Sequence, residues 1–339
     1  MRKTTDQKTE NEALIEKFRF RHLHPNVLIG TASDRYAGWG GQIYTPKRYE
    51  GRISRRSNKV GGKTFQEEVL PVESVEEYFE HFPVLELDYT FYSPLLEENG
   101  KPAKNFHVLK TYAQHITEND KVVMKVPRII SAQKIRRSGK YIKNETYLDP
   151  EIFTKRFYEP ANAILGASLA GLIFEQEYQR KQDRRPAEKM AEDLDRFFES
   201  VPQDTRYHIE FRTEAYLSSP VFAVLEKYGV GQVLSHWTWL PSLKKQLAKA
   251  DGRIFNSGKK RIVRLMTPRG TRYEDAYARA HPFDKLVDEM LQTAMIKDTV
   301  ELIEKAVQED TQTSILINNR AGGNAPLIAR RIVEEYLAK

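Results

Sequence analysis

The segment FPVLELDYTFY, residues 82–92, has the composition of a buried strand but carries two carboxylates. Because side chains alternate across a strand, we expect Glu86 and Asp88 to share one face with Val84, opposite Leu85 and Leu87. An ionised group inside a packed protein costs on the order of several kcal/mol unless a partner compensates for the lost hydration. The segment therefore predicts a strand, Val84 to Asp88, that leads into a polar site.

Seven further segments show the same pattern of a short, mostly apolar strand followed by a helical segment. The predicted strands are 27–31, 84–88, 121–126, 171–175, 207–211, 230–235, 261–266 and 314–318. The predicted helices are 74–82, 103–116, 150–165, 186–199, 219–228, 241–249, 282–308 and 326–337. Eight such units pair in parallel through right-handed crossovers and close into a (β/α)8 TIM-like barrel. An open doubly wound sheet is the alternative, but no Gly-x-Gly-x-x-Gly turn follows the first strand.

The expected organisation is a polar N-terminal segment, residues 1–24, followed by one barrel domain over residues 25–339. A long insertion after the first strand, at about residues 50–72, interrupts this domain. It contains the basic run Gly51 to Lys63, which has little hydrophobic periodicity and is predicted to be a loop. A loop of this length is typically functional or disordered, so it is either a lid, a nucleic-acid contact or merely solvated.

Composition excludes several classes of protein. No apolar run reaches the roughly 18 residues that span a bilayer, so no membrane partner is expected. The polar start, residues 1–12, has no hydrophobic segment behind it, which favours a cytoplasmic location. The chain has no cysteine, which excludes thiolate metal sites and cysteine nucleophiles. The formal net charge of +7 favours an anionic partner, and Lys and Arg gather at 47–63 and 259–272, although this excess also suits simple solubility.

Charged and amide side chains recur near the carboxyl ends of the predicted strands, where barrel enzymes build their active sites. We expect three of them, Glu86, Lys125 and Glu210, to be catalytic. We expect substrate contacts from Asp88, Tyr92, Arg212, His236, Arg264, Asn318 and Asn319. The alternative is a set of charges that only neutralise one another inside the barrel, but apolar packing would serve a scaffold at least as well.

Two loops carry donors suited to an anion, 267–273 after the seventh strand and 319–326 after the eighth. The second offers Gly323 and Asn324 at the start of a helix, and this end of the barrel is a frequent phosphate site. His208 lies in mid-strand and is expected to be a core residue. A Mg or Mn site made from Glu86, Glu210 and His236 is compatible with the ligand types, and a phosphate-bearing or other small-molecule ligand is the expected partner.

Several motifs together resemble those of the YecE-like family, domain of unknown function 72. They are Leu28-Ile29-Gly30-Thr31, Glu86-x-Asp88-x-Thr90-Phe91-Tyr92, Lys125-Val126-Pro127-Arg128, Glu210-Phe211-Arg212, and Asn318-Asn319 followed by Gly323 and Ala325-Pro326. The resemblance extends from about Val27 to Arg330 and implies a TIM barrel. It implies no particular reaction, because the activity of that family is not established. The chain departs from the family where Glu175-Gln176-Glu177 stands in place of a Gln-Leu-Pro type segment.

Three functions follow from these observations. The first is an enzyme that acts on a phosphorylated or polyhydroxylated small molecule by general acid/base catalysis. The second is a nucleic-acid-binding protein or phosphodiesterase that uses the basic run 51–63 and aromatic residues around the barrel mouth. The third is a non-catalytic binding scaffold. The sequence leaves the substrate, the metal and the oligomeric state open.

Overall fold

A computed structural model describes residues 13–137 and 140–339 and shows eight parallel strands closed into a barrel. The strands are β1 Val27–Ala32, β2 Ser54–Val60, β3 Lys63–Val69, β4 Val84–Leu87, β5 Lys121–Lys125, β6 Lys134–Arg137, β7 Lys140–Lys143, β8 Leu169–Gln176, β9 Tyr207–Phe211, β10 Gly231–His236, β11 Lys260–Leu265 and β12 Gln312–Ile317. Around the barrel their order is β1-β12-β11-β10-β9-β8-β5-β4. The predicted TIM-like barrel is confirmed.

The described α-helices connect these strands. They are α1 Val75–His81, α2 Lys104–Ala113, α3 Arg128–Ser131, α4 Pro150–Phe153, α5 Glu159–Leu165, α6 Ala187–Ser200, α7 Ser219–Tyr228, α8 Leu243–Lys249, α9 Tyr273–Ala280, α10 Thr293–Gln308 and α11 Ala325–Leu337. Every residue of β4, β9 and β10 is buried, as expected of parallel strands covered by helices. No described helix is long and apolar enough to cross a membrane.

The insertion after β1 forms a β-hairpin, so the loop predicted for residues 51–63 is wrong. Strands β2 and β3 pair in antiparallel fashion from Ser54 opposite Val69 to Val60 opposite Lys63. Gly61 and Gly62, with φ of 57° and 82°, form the two-residue turn that such hairpins favour. Most residues of β2 are exposed on both faces, so this strand lacks the apolar alternation that would have indicated it.

The predicted helix over residues 282–308 is also wrong in its first third. The structure places α9 before this region and begins α10 only at Thr293. In between, the backbone N–H of Val287 donates to the carbonyl of Gly322 at 2.9 Å, and Phe283 packs edge-on against Tyr36. These tertiary contacts outweigh the helical spacing of the apolar residues in this segment.

The N-terminal segment buries several apolar side chains, although its sequence is largely polar. The residues before 13 lie outside the described part of the chain. Ile15, Phe18 and Phe20 are buried. The ring of Phe20 lies 5.2 Å from that of Phe82, and its N–H donates to the carbonyl of His81 at 2.8 Å. Residues 13–24 therefore pack against the end of α1.

The chain divides into two compact units, and the division runs through β4, β10 and β11. The terminal unit comprises residues up to Leu85, residues 235–238 and residues from Val263 onward. The central unit comprises residues 86–234 and 239–262. The predicted domain boundaries, 25–339, stay a prediction.

Within the terminal unit, the Tyr78 hydroxyl joins β1 and β4 from the helix between them. It accepts a hydrogen bond from the N–H of Thr31 at 2.9 Å and donates to the carbonyl of Val84 at 2.8 Å. The side chain is fully buried, and burial raises the pKa of its hydroxyl far above the usual range. Tyr78 therefore stays protonated and satisfies two backbone groups that would otherwise be buried without partners.

Candidate active site

Four charged side chains at the carboxyl ends of three neighbouring strands form a cluster in the central unit, which we call the ionic cluster. They are Lys125 on β5, Glu175 on β8, Glu210 on β9 and Arg212 just after β9. The parallel register places Glu175 directly opposite Glu210 and Lys125 opposite Ile173. Strand pairing therefore brings together residues that are far apart in sequence.

Both cations of the ionic cluster converge on one oxygen atom. Lys125 Nζ lies 2.7 Å and Arg212 Nη2 lies 3.0 Å from Oε2 of Glu175. Arg212 also donates to both carboxylate oxygens of Glu210, from Nε at 3.0 Å and from Nη2 at 3.3 Å. This forked contact is the geometry in which a guanidinium binds a carboxylate most strongly.

Burial is graded across the ionic cluster. The Glu210 side chain is fully buried, whereas those of Lys125, Arg212 and Glu175 are 9%, 11% and 13% exposed. Lys125 Nζ also lies 3.8 Å from the centre of the Phe91 ring, a favourable cation–π contact. The Lys125 and Glu175 ends of the cluster are therefore within reach of a solute, while Glu210 lies beneath them.

The hydroxyl of Thr90 supports the lysine from the neighbouring strand end. It lies 2.7 Å from the carbonyl oxygen of Lys125 and 3.1 Å from that of Leu87. Strand β4 ends at Leu87, and Asp88 has helical backbone angles of −86° and −21°. The predicted strand to Asp88, with Glu86 and Asp88 on one face, is therefore wrong in its last residue. Glu86 itself is fully buried on β4.

Polar residues just after Glu175 form a second, buried layer. Gln176 donates to the carbonyl of Ser131 at 2.8 Å and accepts from Tyr147 at 2.9 Å. The Glu177 carboxylate accepts from the backbone N–H groups of Gln133 and Lys134, each at 3.0 Å. Burial raises the pKa of the Glu177 carboxyl, and these two hydrogen bonds offset only part of that effect. This layer fixes the end of β8 and so the position of Glu175.

The polar loop after β12 lies in the terminal unit, and the protein itself uses most of its hydrogen-bonding groups. The side-chain oxygen of Asn318 accepts from the N–H of Arg320 at 3.0 Å. That of Asn319 accepts from Trp39 at 3.1 Å and from the N–H of Ala325 at 2.8 Å. The amide nitrogen of Asn319 is buried and has no hydrogen-bond partner in the part of the chain that the structure describes.

Asn324 and Gly323 have structural roles. Asn324 caps α11 by accepting from the N–H of Leu327 at 2.9 Å, and it donates to the carbonyl of Phe283 at 2.8 Å. Gly323 has a φ of 104°, and a Cβ there would lie 2.3 Å from the carbonyl oxygen of Lys285. The close approach that this glycine permits is therefore to the protein's own backbone, and a ligand role for either residue stays a prediction.

The remaining predicted site residues differ in accessibility. In the terminal unit Arg264 and His236 are buried, and Nε2 of His236 has no hydrogen-bond partner among the described residues. Burial and, to a smaller extent, the charge of Arg269 lower the pKa of His236 to about 4, so this imidazole is neutral at pH 7. In the central unit Tyr92 is exposed, and the Arg128 guanidinium lies 5.9 Å from its ring centre.

A metal site from Glu86, Glu210 and His236 does not form. Within residues 13–137 and 140–339, no three histidine, aspartate or glutamate side chains are grouped so that they could hold a metal ion. His208 lies in the core as expected. Its Nδ1 lies 3.0 Å from the carbonyl oxygen of Arg206, and burial lowers its pKa to about 4.

Sequence reasoning missed Glu175 as a site residue. The residue stood out only as part of the Glu175-Gln176-Glu177 departure from the family pattern. Its place one residue before the end of a buried strand was an available signal, because an ionised side chain there requires a partner. The structure supplies two, Lys125 and Arg212.

The closed barrel with polar residues at the carboxyl ends of its strands defines a TIM-barrel protein. The family model described as "Protein of unknown function DUF72" matches residues 28–339, so the chain belongs to the DUF72 family. The resemblance found in the sequence is thereby confirmed. No match was found among curated proteins.

Solved structures of two DUF72 family proteins share the fold at low sequence identity. One from Enterococcus faecalis is 15% identical with a TM-score of 0.55, and the match covers 92% of this chain and 96% of that one. One from Thermotoga maritima is 14% identical with a TM-score of 0.55, covering 91% and 98%. At this identity the likeness extends to the fold alone.

Proposed function

We propose that this protein is an enzyme that acts on a phosphorylated or polyhydroxylated small molecule at the carboxyl end of the barrel. The observation that carries the proposal is the convergence of Lys125 and Arg212 on a single oxygen of Glu175. Two cations directed at one oxygen form the arrangement that binds a phosphate or carboxylate group. In this proposal the Glu175 carboxylate occupies the anion-binding position in the absence of substrate, and a substrate anion competes with it for Lys125 and Arg212.

The proposed chemistry is general acid/base catalysis by a buried carboxyl group. Glu210 and Glu86 are fully buried at strand ends of the central unit, and each is a candidate to move a proton to or from the substrate. Lys125 would stabilise negative charge that develops in the transition state, because its charge acts more strongly where water is largely excluded. The predicted substrate contacts of Arg264, Asn318 and Asn319, which lie in the terminal unit, stay a prediction.

A thermal-shift screen across sugar phosphates, free sugars and inorganic phosphate tests the binding step. We expect at least one phosphorylated compound to raise the melting temperature of the wild type, and the rise to be lost in Lys125→Met and Arg212→Gln. Lys227→Met is the matched control, because it removes the cation of an exposed ion pair between α7 and Asp195 of α6 and should keep the response. A response that survives both cluster variants contradicts the proposed site.

Turnover of the compound found in that screen tests the catalytic step. We expect Glu210→Gln or Glu86→Gln to lower kcat by about 10²- to 10⁴-fold, the range for loss of a general acid or base. The KM should change much less, because neither carboxylate is proposed to bind the anionic group. Full turnover in both variants would remove general acid/base catalysis by these residues.

The two other functions have less support. The basic stretch proposed to bind nucleic acid is largely neutralised, since Arg55 pairs with Glu68 at 2.9 Å and Arg56 with Glu67 at 2.7 Å across the β2–β3 hairpin. A non-catalytic scaffold predicts that Lys125→Met lowers stability and changes no ligand response. The thermal-shift screen separates that outcome from the proposed one.

A further inference from the structure

Two short segments of the central unit are strongly basic. Residues 134–143, KIRRSGKYIK, contain five basic and no acidic residues, and residues 178–186, YQRKQDRRP, contain four basic and one acidic. Their combined net charge is +8, whereas the formal net charge of the whole chain is +7. The chain also has the basic stretches 47–63 and 259–272, so acidic residues elsewhere offset much of its positive charge. Positive charge as dense as that of these two segments differs from the scattered charge that serves solubility.

The fold joins the two segments at their bases. The first contains the hairpin β6–β7 and the second is the loop that leaves β8. The Glu177 carboxylate accepts from the N–H groups of Gln133 and Lys134, each at 3.0 Å, and the side-chain amide of Gln179 donates to that of Gln133 at 2.8 Å. Lys134 Nζ also lies 3.8 Å from Asp183 of the loop. These contacts hold the hairpin beside the loop.

Four cations of this region are available to a ligand, whereas Lys134, Lys143 and Arg185 form ion pairs. Lys140, Arg180, Lys181 and Arg184 are exposed, and within the described residues none of their side chains makes an ion pair. This contrasts with the β2–β3 hairpin, where Arg55 and Arg56 face glutamates on the opposite strand. The basic loop after β8 therefore attracts an anion, whereas the basic hairpin after β1 neutralises itself.

Exposed aromatic rings lie among these cations. Tyr178 is 45% exposed and Trp239 is 50% exposed, and their ring centres are 6.1 Å apart. Tyr141 on β7 is 74% exposed. Large aromatic side chains usually lie buried in a soluble protein, so two half-exposed rings in contact indicate a binding surface. Unpaired bases stack on such rings.

We propose that these residues form a binding surface for single-stranded nucleic acid, with Trp239 and Tyr178 stacking on bases and Lys140, Arg180, Lys181 and Arg184 contacting phosphates. Aromatic rings beside unpaired cations form the combination that recognises single strands without sequence preference. A duplex keeps its bases stacked inside, so it offers the phosphates but not the base faces. This surface lies apart from the β2–β3 hairpin that the sequence suggested for nucleic acid.

Fluorescence anisotropy with labelled 12-nucleotide probes, U12 and dT12, tests the proposal with the full-length protein. We expect saturable binding to at least one probe at 50 mM KCl, weakening roughly fifty-fold between 50 and 200 mM, because about four phosphate contacts give a logarithmic salt slope near −3. The two probes distinguish RNA from DNA as the ligand, and either result supports the proposal. A 12-base-pair duplex should bind more weakly than the better single strand.

Two sets of variants separate phosphate contacts from stacking. Replacing Lys140, Arg180, Lys181 and Arg184 by glutamine should abolish most of the salt dependence and most of the affinity. The matched control replaces the exposed Lys59, Lys63, Lys101 and Lys110 by glutamine, which lowers the net charge equally and should keep the salt slope.

Trp239→Ala should weaken binding of the single strand roughly five- to a hundredfold without changing the salt slope, because stacking involves no counterion. Trp239→Phe should recover part of the loss. Because all of these side chains are exposed, we expect every variant to keep the wild-type melting temperature.

Four results would overturn the proposal. The first is no binding of either single strand at 50 mM KCl. The second is an equal loss of affinity in the two quadruple variants. The third is duplex binding as tight as that of the single strand together with no effect of Trp239→Ala. Preferential binding to phosphatidylserine vesicles would likewise assign this surface to a membrane instead. None of these results bears on the ionic cluster, so this proposal and the proposed enzyme activity fail independently.

Discussion

Replacing Glu175 by glutamine should destabilise the protein by about 3 kcal/mol. In the wild type, Oε2 of Glu175 lies 2.7 Å from Lys125 Nζ and 3.0 Å from Arg212 Nη2. Removing one member of a buried ion pair costs about 3–5 kcal/mol, because the partner charge remains without its counterion. The side chains of Lys125 and Glu175 are 9% and 13% exposed, which places the cost near the lower end of that range.

Thermal unfolding provides the assay. For a chain of this length, 1 kcal/mol changes the melting temperature by about 2 °C, so Glu175→Gln should melt about 6 °C below the wild type. The control is Glu214→Gln, which breaks an exposed pair with Lys249 at 3.3 Å in the same unit. Exposed pairs contribute about 0–1 kcal/mol, so this control should melt within about 2 °C of the wild type.

Inorganic phosphate should restore much of the lost stability. In Glu175→Gln the two cations no longer share a carboxylate, so an added anion should bind between them. If phosphate binds with a Kd of about 1 mM, 50 mM phosphate adds about 2 kcal/mol, or about 4 °C. Chloride at the same ionic strength should not. A variant that melts within 1 °C of the wild type, or a phosphate effect equal in both proteins, would refute the reasoning.

Two further predictions concern stability. Burial lowers the pKa of His208 and of His236 to about 4, so below pH 6.5 the unfolded state binds more protons than the folded state. The stability that these neutral histidines contribute should be complete above that pH and should fall by about 2 kcal/mol per histidine between pH 7 and pH 5. His208→Asn should remove about half of that dependence in urea titrations, and an unchanged profile would contradict it. Gly323→Ala should lower the free energy of unfolding by at least about 3 kcal/mol in the same titration, because the new Cβ would lie 2.3 Å from a backbone oxygen. Gly270 also has a positive φ but open space around it, so Gly270→Ala should lower it by only about 1 kcal/mol.

The barrel was predictable because its elements carry strong local signals. Strand Tyr207–Phe211 and helix Ser219–Tyr228 have the bounds that the sequence predicts. The helix has a proline in its first turn and ends at Gly229, whose φ of 64° is the left-handed conformation of a helix C-terminus. Apolar strands between such helices leave few alternatives to a parallel barrel.

The hairpin after β1 and the start of α10 were not predictable in the same way. Strand β2 shows no apolar face, so it is held by pairing with β3 and by charged cross-strand pairs such as Arg56 with Glu67. The apolar residues between 282 and 292 have helical spacing but contact the loop around Gly322 instead. In both cases contacts between distant segments decide the local structure.

The candidate site was predictable in its residue types but not in its pairing. Lys125, Glu210 and Arg212 could be identified one by one as ionic groups on apolar strands. The register that sets Glu175 opposite Glu210 exists only in the folded sheet, so the carboxylate that binds two cations was passed over. The same limit applies to charge, because a basic segment is recognisable in sequence whereas its neutralisation by a facing strand is not.

The pairing of β1 with β12 sets the order of events during synthesis. Val27 pairs with Thr313, about 290 residues later in the chain. At about 5–20 residues per second, the ribosome takes roughly 15–60 s to deliver the partner of β1. Throughout that interval one edge of β1 is unpaired, because Tyr78 connects β1 only to β4, its neighbour on the other side. Closure of the cylinder is therefore one of the last folding steps that this polypeptide can complete, whatever local structure forms earlier.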